Sequence, residues 1–237
     1  MPYELYYWPT IQGRGEFVRL ALEEAGAEYL DVARELKNGM LAMESLLEKG
    51  ERPPFAPPFL KDGALIIGQT AAILFYLGGK HDLAPKDEAG RLWTHQIQLT
   101  IADFVLEAHD THHPIASGLY YEDQKDEAAR RTQDFRENRM PKYLDWCETI
   151  LTRNPAGSKH LVGDKITYAD LSLFQVIAGL SYAFPKLMKR ELRNYPKIAA
   201  LHDSVAKRPR IKAYLASPRR IPFNESGIFR HYPELDA

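Results

Sequence analysis

The sequence predicts a small α/β layer over residues 1–80, an all-helical half over residues 86–217, and a tail over residues 218–237. Three observations predict it. Strand-like and helix-like patterns alternate through the first eighty residues, strand signals stop past Gly79, and the stretch between them, "GGKHDLAPKDE", carries the glycines, proline and charges of a linker.

The elements of the first half follow in order. "YELYYW" is aromatic and β-prone and stops at Pro9, which has no N–H for a sheet ladder. "GEFVRLALEEAG" places Phe17, Leu20 and Ala21 on one helical face, with Gly26 where a helix stop is expected. "AEYLDVAR" reads as a second strand and "NGMLAMESLLEKG" as a second helix. "PPFLKDGALIIG" reads as a hairpin turning about Lys61-Asp62-Gly63, because Asp-Gly is a strong turn signal. "QTAAILFYLGG" closes the layer as a helix, giving the order β-α-β-α-β-β-α.

In the second half, Trp93, Ile97, Ile101, Phe104 and Val105 form an apolar helical stripe between about Glu88 and Pro114. A second helix is expected from about Gln124 to Leu151. "TYADLSLFQVIAGL" is apolar almost all round, as a helix buried on every side would be. "YPKIAALHDSVAKRP" and "RIKAYLAS" supply two more.

The whole chain narrows the function classes. Its 237 residues are enough for one large domain or two modest ones. Thirty-one basic and 32 acidic side chains leave a formal charge of -1, so no positive field draws phosphate backbones and nucleic acid is not an expected partner. Cys147 is the only cysteine, which rules out a disulfide within the chain and fits a reducing compartment. The N-terminus lacks the basic and long apolar segments of a secretion signal, and "AAILFYL" is too short to cross a bilayer. A cytosolic protein with no membrane partner is expected.

Several local patterns could carry chemistry. Tyr7, at the end of the first strand, is either a core aromatic or a phenol presented at the strand's carboxyl end; Tyr6 should face the other way, since strand side chains alternate. In "FAPPFLKDG", the Pro57–Pro58 bond could be cis, which would turn the Pro57 backbone toward a ligand, or trans at the entry to an edge strand. Gln69-Thr70 opens a helix whose free N–H groups suit a carboxylate, or it is an ordinary cap. In "GDKITYADLSLF", Thr167 and Asp170 have capping-box spacing, with Ile166 and Leu171 placed as the hydrophobic staple. "HDTHH" puts His109 and His113 on one helical face; without a convergent carboxylate or cysteine, a metal site is not expected there.

Taken together, Tyr7-Trp8-Pro9 with Gly13-Arg14, the proline before "FLKDG", Gln69-Thr70 and "VGDKITYADLSLF" resemble a cytosolic glutathione S-transferase of the tyrosine type (alpha, mu, pi or sigma-like) over nearly the whole chain. The resemblance implies a thioredoxin-like N-terminal domain that binds reduced glutathione, and a helical domain that completes a pocket for a hydrophobic electrophile. It implies a homodimer acting in detoxification, with glutathione as cosubstrate and neither cofactor nor metal. It assigns Tyr7 to thiol activation. It assigns Gln69 and Thr70 to the γ-glutamyl end, Pro58 to the cis-proline, and Pro57 to a backbone contact with the cysteinyl part.

By the same resemblance, Asp103 would reach the glutamyl amine of a partner subunit, Arg14 would lie near the sulfur, and Trp8, Ile11, His109 and His113 would line the acceptor site. There are departures. The turn before Arg14 is one residue longer than usual, and Ala56 stands where Lys or Gln is common. The grip on the glycine carboxylate falls to Lys37 or Lys49 if to any residue. A glutathione-dependent isomerase and a binding protein without turnover are alternative readings. Ile228-Phe229, in a tail longer than the helical core needs, is expected either to cover the acceptor site or to strap the domain surface.

Overall fold

The computed structural model describes residues 2–49 and 51–236; Gly50, closing the expected second helix, and the last tail residue, Ala237, lie outside them. The first half contains β1 (Tyr3–Tyr6), α1 (Gly15–Ala25), β2 (Tyr29–Asp31), α2 (Val32–Glu35), α3 (Gly39–Lys49), β3 (Phe59–Asp62), β4 (Leu65–Gly68) and α4 (Thr70–Lys80). The sheet order is β2-β1-β3-β4, with β2 parallel to β1 and the other two pairings antiparallel.

The expected second strand is shorter than its β-prone run. It ends at Asp31, and Val32–Glu35 coil into a single helical turn that buries Val32. Tyr6 and Tyr7 separate as strand alternation requires. Tyr6 stacks on Phe59 at 4.6 Å in a small core with Val32 and Met43, whereas Tyr7 packs toward the loop before α1. The last helix of the layer continues through Gly78 and Gly79 to Lys80 rather than ending at the glycines.

The second half contains α5 (Glu88–Asp110), a 3₁₀ turn (Tyr121–Gln124), α6 (Lys125–Asp134), a π turn (Phe135–Arg139), α7 (Met140–Arg153), α8 (Tyr168–Ala183), α9 (Pro185–Glu191), α10 (Pro196–Ala206) and α11 (Pro209–Leu215). The long helix expected from Gln124 is therefore α6 and α7 joined by a π turn, and α9 is an element the sequence reading omitted. α8 is buried on nearly every side and fastened at its start by a capping box: Asp170 N–H bonds the Thr167 hydroxyl, and the Asp170 carboxylate accepts Thr167 N–H at 2.7 Å. Leu5, Leu60, Leu74 and Ile101 join residues of α8 in one apolar core spanning both halves. No helix among the described residues is long and apolar enough to cross a membrane.

The tail folds as a strap. Asn224 donates to the Thr10 carbonyl, the Ile228 carbonyl faces His112 at 2.7 Å, and Tyr232 stacks on Tyr121 at 3.7 Å. Phe229 is buried over Gly179 of α8, where any Cβ would overlap its ring. Ile228 and Phe229 thus contribute to the packing of the helical half, which favours the strap over the cover.

Candidate active site

Sheet register gathers the first set of residues. Tyr6 pairs with Phe59 and Phe59 with Gly68. The residues one step beyond, Tyr7, Pro58 and Gln69, therefore end three neighbouring strands at the same end of the sheet. The Pro57–Pro58 bond is cis.

Tyr7 is 4% exposed, and its hydroxyl oxygen accepts the Arg14 backbone N–H at 2.9 Å. Burial pushes the phenol above its ordinary pKa, against smaller opposing effects of the Arg14 N–H and the Arg14 and Arg19 charges. The group is therefore neutral near pH 7 and able to donate a proton. Two glycines make room for it. At Gly13, which holds φ +44°, a Cβ would overlap the Tyr7 hydroxyl, and at Gly15 it would overlap the ring. Sequence reasoning noted Gly13 only as part of a motif and missed the role of Gly15.

Beneath this loop lies a buried polar network that the sequence reading also missed. Arg19, within 5.8 Å of the Tyr7 ring centre, donates to Asp31 at 2.7 Å and pairs with Glu16 at 3.3 Å. Glu16 accepts the Tyr214 hydroxyl at 2.6 Å and pairs with Arg220. Gln175 donates to Gln12 at 2.8 Å. α1 is thus buried all round, not only through Phe17, Leu20 and Ala21. The sequence shows Glu16 and Arg19 as opposite charges at i,i+3 in α1, which also carries Glu23 and Glu24.

A cleft of about 120 Å³ lies between α1, α4 and α5 and is lined by Arg14, whose backbone N–H bonds Tyr7. Arg14, Phe17, Gln69 and Thr70 wall one side, and Gln98 and Val105 of α5 the other. No hydrogen bond or ion pair engages the Arg14 side chain within the described residues. Gln69 holds φ 65°, a region that residues with a side chain seldom occupy and that recurs at ligand sites. Thr70 is the first residue of α4 rather than its cap, and its hydroxyl is buried without a partner. Gln69 stands at the N-cap position, its carbonyl accepting Ile73 N–H at 2.9 Å, and neither side chain makes a capping hydrogen bond among the described residues. Larger surface pockets, such as one of about 440 Å³ beside Trp93 and Trp146, contain none of these residues.

The other expected positions are more scattered. Trp8 is 40% exposed just past Tyr7, and Ile11 is half-buried in the following loop. His109 is half-buried; burial holds it below the ordinary imidazole range, and the Arg14 charge adds to the effect. His113 is buried and engages Gln124 at 3.2 Å, the amide that also binds the backbone of residues 115–120. Asp103 is exposed, makes no hydrogen bond or ion pair among the described residues, and lies outside the residues that line the cleft. Lys37 and Lys49 are exposed and away from the cleft wall. Cys147 is fully buried, with its thiol pushed up to about 12, and plays no part here.

A two-part fold with this site matches one family. The glutathione S-transferase N-terminal domain model matches residues 1–79, and the C-terminal domain model of the same family matches residues 109–218. The chain belongs to the glutathione S-transferase family. Among similar proteins, glutathione S-transferase P of Bos taurus is 29% identical, covering 95% of this chain and 98% of its own length. The Pi-class glutathione S-transferase of Onchocerca volvulus superposes with a TM-score of 0.73 at 23% identity, covering 96% and 99% of the two chains. Prostaglandin synthase D of Nilaparvata lugens superposes with a TM-score of 0.72 at 21% identity, covering 94% and 100%. At these identities the two structural likenesses speak for the fold alone.

Proposed function

We propose that this chain is a glutathione transferase that joins the thiol of reduced glutathione to hydrophobic electrophiles. The observation that carries the reading is a buried, neutral Tyr7 phenol whose oxygen is already engaged by the Arg14 N–H, at the same strand-end as the cis-proline and Gln69. Its remaining proton is available to a sulfur. A free thiol with a pKa near 8.5 is only a few per cent ionised at pH 7; lowering that pKa by roughly two units makes the thiolate the major form, equivalent to about 2.7 kcal/mol. Glutathione brings the nucleophile, so no cofactor or metal enters the scheme.

Arg14, Gln69, Thr70 and the first N–H groups of α4 suit the carboxylate of the γ-glutamyl end, and the Pro57 backbone takes the cysteinyl part. Trp8, Ile11 and His109 bound the acceptor side, where aromatic substitution or conjugate addition takes place by positioning beside the thiolate.

A homodimer in the cytosol is part of the proposal. Leu92, Leu99 and Leu106 recur every seven residues along α5 and all stand exposed, and Phe55 is 96% exposed in the loop before the cis-proline. Such a row is an unpartnered helix face of the kind copies bury. The deciding experiment is retention on immobilised glutathione followed by turnover of an aromatic electrophile, with product analysis. Turnover to a glutathione adduct supports the reading. Rearranged product without an adduct would make the enzyme an isomerase, and retention without turnover would make it a binding protein.

A further inference from the structure

We infer that Gln12 is a positioning residue for Tyr7, through which the C-terminal strap holds the loop that aims the phenol; the inference rests on the glutathione reading above. β1 ends at Tyr6 and α1 begins at Gly15, so residues 7–14 are loop. That loop carries Tyr7 at one end and, at the other, the Arg14 N–H that binds its hydroxyl at 2.9 Å. Loop positions lack the repeating main-chain bonds of a helix or strand, so their placement depends on contacts from outside.

Gln12 takes most of that grip. It is 5% exposed, and both ends of its amide are engaged beyond the loop: Nε2 donates to the Ile221 carbonyl of the tail, and Oε1 accepts from Gln175 of α8 at 2.8 Å. Gln175 in turn accepts from Arg220, which also pairs with Glu16 of α1. The Gln12 carbonyl accepts Glu16 N–H at 3.0 Å, closing the turn that contains Gly13 and Arg14. A second tether lies earlier in the loop, where Asn224 of the tail donates to the Thr10 carbonyl at 2.9 Å. A displaced Gln12 would shift the Gly13–Arg14 peptide, and the phenol would lose its main-chain donor and its direction. Packing of the helical half accounts for Ile228 and Phe229. It does not account for a buried amide joining the tail to this loop, where an apolar side chain would fill the space without needing partners.

The test reads the thiol pKa of bound glutathione, by thiolate absorbance, together with kinetics of the full chain. Gln12→Met keeps the length and removes both hydrogen bonds. Asn224→Asp keeps the acceptor that binds Ser226 N–H and removes only the donor to Thr10, with Asn224→Ala as the control for its charge. Each is expected to raise the thiol pKa by about half a unit to one unit. Each should lower kcat about three- to tenfold near pH 6.5 while KM for glutathione stays within about twofold. The loss should fade by about pH 9, where a thiol with a pKa near 8.5 ionises unaided. In a Tyr7→Phe background each variant should add less than about twofold, because it acts through the phenol.

Gln12→Met decides where it folds. A rise in thiol pKa that disappears in the Tyr7→Phe background carries the inference. A parental thiol pKa, or a loss equal at every pH and additive with Tyr7→Phe, marks a packing residue and overturns it. Where Gln12→Met does not accumulate, the Asn224 variants decide in the same way, and a shift in Asn224→Asp without one in Asn224→Ala is an effect of charge and overturns it too. If Tyr7→Phe by itself leaves the thiol pKa unmoved, the thiol-activation reading falls instead, a failure visible before any tether is cut.

Discussion

The Tyr7 hydroxyl accepts the Arg14 backbone N–H at 2.9 Å, and this bond fixes which way the phenol can act. With an acceptor lobe filled by a main-chain donor and the phenol kept neutral by burial, its proton is left to donate, which is the role the proposed function gives it. Tyr7→Phe removes that proton and keeps the ring. The expected outcome is a rise of about one to two units in the pKa of bound glutathione and a fall of roughly ten- to a hundredfold in kcat/KM, the scale of one hydrogen bond to a charged acceptor. Thiolate absorbance across pH reads the first quantity directly. An unmoved pKa would remove Tyr7 from the chemistry.

Gly13 should be as sensitive as Tyr7 while carrying no chemistry of its own. A methyl group there meets the Tyr7 hydroxyl, and its φ of +44° disfavours any side chain. Gly13→Ala is expected to cost about 1–2 kcal/mol of stability through the backbone and the overlap. It should also lower activity at least as far as Tyr7→Phe, by displacing the phenol. Denaturant midpoints and kcat/KM on one preparation check both; activity at the parent level would show that the loop can yield.

Arg19 illustrates the opposite case, a residue behind the site whose loss is structural. Its guanidinium is buried between Glu16 and Asp31. Removing one member of a buried ionic group leaves charge uncompensated, so Arg19→Met is expected to destabilise the chain by about 3–5 kcal/mol. Urea unfolding measures this. A loss below about 1 kcal/mol would mean that Arg34 and Arg220, the other cations on these carboxylates, take over the pairing.

Residues of the site differ in how far local sequence marks them. At Tyr7, Pro58, Gln69 and Thr70 the local punctuation marks a strand end, a Pro-Pro pair and a helix start but leaves packing, trans-proline and capping readings open; only the family resemblance assigns their roles. The charges of α1 lack even that punctuation. Periodicity places Glu16 and Arg19 at the edge of an apolar face, and their partners Asp31, Tyr214 and Arg220 come from distant parts of the chain. Gln98 carries no local signal either, because a lone amide in a helical stripe reads the same whether it faces solvent or a cleft. The second strand was over-extended for a related reason: Val32 is β-prone, but burying it against Met43 and Phe59 outweighs local propensity.

The capping box of α8 should be worth more than a surface cap. Thr167→Ala is expected to cost about 1 kcal/mol or more. Asp170→Ala should cost more still, because its carboxylate serves three buried donors: Leu161 N–H at 2.7 Å, Thr167 N–H at 2.7 Å and the Thr167 hydroxyl at 2.9 Å. Each donor left unpaired costs about 1–3 kcal/mol. Denaturant unfolding of both variants ranks them, and an Asp170→Ala cost equal to that of Thr167→Ala would show that the loop at Leu161 is rescued by water.

His112 should make the fold sensitive to acid. It is buried, its Nε2 lies 2.7 Å from the Ile228 carbonyl, and its Nδ1 has no partner. Arg230, His109 and His113 surround it with positive or potentially positive charge and no carboxylate pairs with it. Burial, with smaller contributions from those neighbours, holds its pKa down to about 3. Because the folded pKa lies below the unfolded value of about 6.5, the unfolded chain binds the extra proton as pH falls. The stabilisation is therefore complete above about pH 6.5 and is lost progressively below it, at up to about 1.4 kcal/mol per pH unit from this residue. His112→Gln keeps a donor for the Ile228 carbonyl and cannot titrate. The expected result is a smaller drop in urea midpoint between about pH 7 and about pH 5 than the parent shows, with the remainder due to His109, His113 and the carboxylates. Equal drops in both proteins would mean that the tail opens and solvates His112 before it charges.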